Sequence, residues 1–152
     1  MASFDILGSG AVFDDVAATT AQHELGRTAI TQDGKKFTYV LFTATTALGD
    51  ACIYDTASTS EPNAVKPSAA ATDQVWGIAH VAHASSTYGW LQTGGNCDSA
   101  KVAAGVVATD PLIPSGTAGT LDKNAAANIV NVVGTAMDNY SAGFAQIYIN
   151  WR

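Results

Sequence analysis

The sequence predicts an all-β domain: an antiparallel β-sandwich or barrel of β-tulip-like form with a flexible N-terminal arm. Three observations carry that prediction. β-Branched and aromatic residues dominate the apolar stretches, as in "FTYVLF", "VWGIA" and "FAQIYI", and such side chains suit a pleated, half-buried surface. Gly, Asn, Asp and Pro interrupt the pattern about every 8–12 residues, the spacing of sandwiches and barrels. No strand pattern alternates with amphipathic helices, as a doubly wound fold would require.

Residues 1–25 are expected to form an arm or a short helix. "DDVAATTAQHEL" is the one helix-like stretch, and only Val16 and Leu25 supply its apolar face. The β domain is expected over residues 26–152. It begins with "TAITQD" and "FTYVLF", joined through Asp33-Gly34, a hairpin signal. In the second strand Phe37, Tyr39 and Leu41 fall on one face, Val40 and Phe42 on the other. A strand apolar on both faces is covered on both sides or lies in a subunit contact. "ACIYD" reads as a short strand. Residues 55–74, around "TASTSEPNAVKPSAAATD", read as a long, exposed, low-complexity loop. "VWGIAHVA" and "YGWLQT" follow as strands, the latter ended by Gly94-Gly95-Asn96. "AKVAAGVV" and "DPLIP" are short extended pieces and "SGTAGT" is a turn. "NIVNVVGTAM" and "FAQIYINW" close the domain.

Composition restricts the function. A chain of 152 residues has room for one domain with a real core. Charged residues make up 13%, about half the usual share of roughly 25%, so the surface is charge-poor and suits packing against other protein. Net charge is −6, and no cationic run exceeds Lys35-Lys36. A groove that tracks phosphates needs clustered cations, so no nucleic-acid partner is expected. No membrane partner is expected either, because no apolar stretch approaches about 20 residues. The start "MASFDILGSG" lacks a basic segment followed by a long apolar one, so no secretory signal is expected. Cys52 and Cys97 are accordingly expected as reduced, buried thiols, with a single bridge as the alternative.

Each chemical motif breaks down at a particular residue. "FDILGSGAVFDD" resembles the start of a dinucleotide fingerprint, and Asp33 lies about where a ribose-binding acid would. Phe13, however, occupies the third glycine slot, where helix and strand pack too closely for a ring. Gly8 and Gly10 are expected as hinges of the arm, and no cofactor is expected. His80 and His83 form an H-x-x-H pair, but on a strand an odd offset sends them to opposite faces, and no further ligand has suitable spacing. No metal is expected. "CIYDTAS" resembles the aspartic-protease Asp-Thr-Gly turn, with Ala57 where backbone approach calls for glycine. Asp14-Asp15 read as a solvated pair at a helix start. No G-x-S-x-G elbow is present, and Cys97 in "GGNCDS" is the sole candidate cysteine nucleophile. The expectation is a chain without catalysis.

Three stretches together resemble small structural proteins of tailed-phage heads. They are "GRTAITQDGKKFTYVLFTATTALGDACIYD", "YGWLQTGGNC" and "AAGVVATDPLIPSGTAGT" with the closing "FAQIYINW". The likeness spans Gly26 to Trp151, with a gap at the low-complexity loop, and rests on pattern and order. It implies a capsid decoration, or cement, protein: a β-rich homotrimer or dimer on the outer surface of the capsid, assembled in the host cytoplasm. Its partner would be the major capsid protein, which it clamps against internal pressure. Phe4, Phe13, Phe42, Trp76, Trp90, Tyr148 and Trp151 are the candidate subunit or capsid contacts. A different reading is a phage head or tail fibre module that binds host surface glycans through exposed Trp and Tyr.

Overall fold

The computed structural model describes residues 4–7, 18–58, 61, 63–125 and 131–150. None of these is helical, and nearly half of them are strand. The strands are β1 (Phe4–Leu7), β2 (Thr28–Thr31), β3 (Lys36–Phe42), β4 (Ala51–Tyr54), β5 (Ala64–Pro67), β6 (Val75–Ala79), β7 (Thr87–Lys101), β8 (Pro111–Pro114), β9 (Leu121–Lys123), β10 (Gly134–Ala136) and β11 (Phe144–Ile149).

Five strands close into a barrel in the order β3-β5-β4-β6-β7, with β7 pairing back onto β3. The two-faced apolar pattern of β3 explains its place. Val40 and Phe42 point into the barrel and pack with Cys52, Val65, Ala79 and Leu91, so all five strands contribute to the interior. The other face of β3 carries Phe37 and Tyr39, which pack with Trp90 of β7 and Ala29 of β2 outside the barrel.

The barrel corrects the expectation of a wholly antiparallel sheet. A closed ring with an odd number of strands cannot alternate direction at every junction. Here the β3–β5 pair is parallel, and the other four junctions are antiparallel. β1 also pairs with β2 in parallel.

The second body of the fold is a sheet in the order β7-β11-β10-β8-β9. Its inner face packs Leu112, Leu121, Val133, Ile147 and Ile149 against Ala51, Val75 and Ile78 on the outer side of β4 and β6. β7 belongs to both bodies because it runs for 15 residues. The sequence suggested that it would stop at Gly94-Gly95. Instead Gly95, at φ +82°, lets the strand pass beneath the β2–β3 hairpin, where a Cβ would lie 2.6 Å from the Gly34 carbonyl oxygen. Gly95 thus permits close approach rather than ending the strand.

Two further expectations are corrected. The loop over residues 55–74 contains β5, whose Ala64 and Val65 are fully enclosed, and Ser68 just beyond it is buried as well. Four residues are too few to show a period, yet without them the barrel would stay open. The expected helix or free arm is also absent over residues 18–25. Ala18 bridges to Tyr88, and the Gln22 amide donates to the Tyr39 hydroxyl at 3.0 Å. The His23 ring meets Tyr39 edge-on at 5.0 Å, and Leu25 packs on the same outer aromatic layer. The apolar outer face of β3 and β7 requires a cover, and this segment supplies it. Gly8, Gly10, Asp14, Asp15 and Val16 lie outside the described residues.

Candidate functional site

Of the seven predicted contact residues, two belong to the core. Phe42 is fully buried and Trp90 is 3% exposed, so neither offers a surface to a neighbour. Both carry large aromatic rings, and ring size favours burial. Trp76 is half-buried. An extra residue on β6, opposite the Cys52–Ile53 step of β4, forms a bulge at this point, and bulges re-aim side chains. Trp76 stacks on Tyr54 at 4.0 Å. Tyr148 is 42% exposed. Phe4 lies in β1, and Phe13 and Trp151 lie outside the described residues.

The structure groups Tyr148 with residues that the sequence did not single out. Tyr148 pairs with Thr135 and Asn96 on the outer face of the second sheet. Met137 continues the same face, its amide donating to the Gln146 carbonyl at 2.7 Å. Tyr140 and Val107 come from two neighbouring loops joined by a bond from the Tyr140 amide to the Val106 carbonyl, at 2.9 Å. The large exposed hydrophobics of the described residues are Leu48, Tyr54, Val107, Met137, Tyr140 and Tyr148. Two of them, Met137 and Tyr148, therefore share this face, and Val107 and Tyr140 lie in the adjoining loops. The loops are pinned: the Val107 amide donates to Asp110, the Ala108 amide to Asn139 and the Gln146 amide to Asp138. Alternation in "FAQIYINW" made Tyr148 legible in the sequence. Val107 and Tyr140 are loop residues brought together only by the fold.

A cleft of about 300 Å³ lies elsewhere, between the β2–β3 hairpin and the middle of β7. It is lined by Thr31, Asp33, Lys35, Phe37, Leu48, His80, Gln92, Cys97, Asp98 and Ser99. The Lys35 ammonium lies 2.9 Å from Asp98 and 3.6 Å from Asp33, and its hydrogen bond to Asp98 holds its pKa above the usual value. The Thr31 hydroxyl donates to Asp33 and holds that carboxyl below its usual range. The Cys97 thiol is pushed up to about 11, chiefly by burial, so it is a poor nucleophile at neutral pH.

The other sequence candidates are engaged by neighbouring side chains or buried. Asp55 accepts from the Thr43 hydroxyl at 2.7 Å and pairs with Lys66 at 2.9 Å, which lowers its pKa. His80 meets Phe37 edge-on at 5.1 Å, while His83 stacks flat on Phe42 at 3.8 Å. Since Phe37 and Phe42 occupy opposite faces of β3, the two imidazoles are directed to opposite sides of the barrel wall. Cys52 and Cys97 are both buried free thiols. Among the described residues no three His, Cys, Asp or Glu side chains form a metal-holding group, and no helix is long and apolar enough to cross a membrane.

Compared with known proteins, the chain matches no family model and no curated sequence.

Proposed function

We propose that this chain is a virion structural protein that decorates the outside of a tailed-phage head. In this reading it assembles as a homotrimer, grips the major capsid protein and performs no catalysis. One observation carries the reading: the outer face of the second sheet presents Met137 and Tyr148, with Val107 and Tyr140 at its rim. Its other members include the uncharged Asn96, Thr135 and Gln146, and the one carboxylate beside them on β7, Asp98, is bonded to the Gln146 amide and paired with Lys35. Aromatic residues and Met enriched over a charge-depleted centre are what protein interfaces favour. The pinned loops limit the ordering cost of docking. The barrel behind the face supplies stiffness, which a clamp under load requires. Three protomers acting together raise avidity by about 10²–10⁴-fold over one contact, so a modest patch on each suffices.

The test uses undecorated heads of the virus that encodes the chain. Purified protein should cosediment with them at a copy number set by the lattice and raise the temperature at which DNA is released. A Met137→Glu, Tyr148→Glu double variant should lose binding at least tenfold while remaining folded, because two carboxylates would be placed in a desolvated contact. Wild-type protein that neither sediments with the heads nor protects them better than buffer would refute the reading.

A further inference from the structure

We propose that the cleft between the β2–β3 hairpin and β7 binds an uncharged, polyhydroxylated ring of single-sugar size. This goes beyond the docking reading and stands or falls without it.

The size of the cleft comes first. At about 300 Å³ it lies at the small end of ligand pockets, which span about 300–1,000 Å³. Its apolar lining comes from Phe37, Leu48 and Cys97. Phe37 and Cys97 are nearly enclosed, and Leu48, 42% exposed, forms an open lip. The hairpin wall is firmly seated, since Gly95 lets β7 run directly against Gly34.

The rim then selects the charge of the occupant. Lys35 lies between Asp98 and Asp33, at 2.9 and 3.6 Å. An incoming cation would share both carboxylates with this ammonium and meet its repulsion at close range. An incoming anion would meet two carboxylates and one ammonium that is already engaged. A neutral ligand avoids both penalties.

The rim also specifies the hydrogen bonding of that neutral ligand. A carboxylate offers about four acceptor sites and an ammonium three donors. Asp98 gives one oxygen to Lys35 and the other to the Gln146 amide at 3.3 Å, and its side chain remains 68% exposed. Asp33 is 61% exposed. Acceptors therefore flank a donor along one edge of the cleft, and Ser99 belongs to the same lining. A hydroxyl both donates and accepts, so neighbouring hydroxyls on a ring match this acceptor–donor–acceptor order.

The experiment records backbone amide resonances of the full chain during separate titrations with glucose, galactose, mannose and N-acetylglucosamine. Agmatine serves as the cationic probe and inorganic phosphate as the anionic one. At least one sugar should shift Lys35, Asp98 and Ser99 together and saturate in the millimolar range. Lys35→Met and Asp98→Asn should each weaken that sugar at least tenfold, and Glu61→Gln should not. Both cleft variants alter partly exposed side chains, and the dispersion of their own spectra verifies folding. The proposal is overturned if no sugar shifts the cleft, or if agmatine or phosphate binds there more tightly than every sugar. It is also overturned if the sugar shifts map to Tyr54 and Trp76 instead, or if the two cleft variants bind like wild type.

Discussion

Acidifying the protein should destabilise it through His83 before its carboxylates titrate. The imidazole is 2% exposed, lies flat on Phe42 at 3.8 Å, and has no hydrogen-bond partner at either ring nitrogen. Its backbone is tied to Thr46 by a pair of 2.9 Å bonds, so the ring cannot easily swing out to water. Burial, with a smaller contribution from His80, lowers its pKa from 6.5 to about 4. A depressed histidine favours the folded state fully above 6.5, where both states are neutral. As pH falls from 6.5 towards 4 the unfolded chain binds a proton that the folded one refuses, and stability declines. The full gap corresponds to about 3 kcal/mol, and the part lost between pH 7.5 and 5 is about 2 kcal/mol. Asp33 and Asp55, with pKa values lowered from 3.8, lose their contribution mainly at lower pH, and the His83 variants separate its share from that of the other histidines. Urea unfolding followed by tryptophan fluorescence at the two pH values measures the difference. His83→Gln and His83→Leu should both be less stable than wild type at pH 7.5, because the ring contact with Phe42 is lost. Both should also flatten the pH dependence. A wild-type stability that does not change over this interval, or variants that retain the full slope, would refute the reasoning.

Two other perturbations examine the packing around the barrel. A Cβ on Gly89 would lie 2.2 Å from the His83 ring, so Gly89→Ala should cost about 1–3 kcal/mol by overpacking. Gly116→Ala, with open space around it, should stay within about 0.5 kcal/mol, and urea midpoints of the two variants provide the comparison. Deleting residues 1–24 removes the cover over Tyr39 and Trp90, including the Gln22–Tyr39 bond and the His23 ring contacts. The truncated chain should melt several degrees lower and show red-shifted tryptophan emission. An unchanged melting temperature would mean that residues 18–24 do not seal this face.

Much of the fold could be read from short-range pattern. The Asp33-Gly34 hairpin, the two-faced β3 and the alternating β11 follow from local chemistry, because turn residues and period-two apolarity act between neighbours. β5 could not be read this way. "AVKP" has neither length nor period, and it becomes a strand because a gap between β3 and β4 must be filled to close the barrel. The long reach of β7 was hidden for a related reason: Gly94-Gly95 reads as a stop, whereas close approach to the hairpin makes it a passage. The candidate surfaces divide in the same way. Tyr148 follows from alternation, but Val107, Met137 and Tyr140 share its neighbourhood only through pairing across the second sheet and contacts between loops. The cleft draws on residues from Thr31 to Ser99, and no local motif marks them as a set. Ring size was the least reliable guide to contact, since Phe42 and Trp90 were taken into the core.

The sequence by itself determined that this chain is all-β, poor in charge and built around strands apolar on both faces, because those properties follow from residue type and near-neighbour spacing. The tertiary structure alone decided where the barrel closes, which junction runs parallel, which aromatics are enclosed and which side chains meet at a surface. Those outcomes depend on closing a ring of five strands and covering both sides of its wall, requirements that act between residues far apart in the chain.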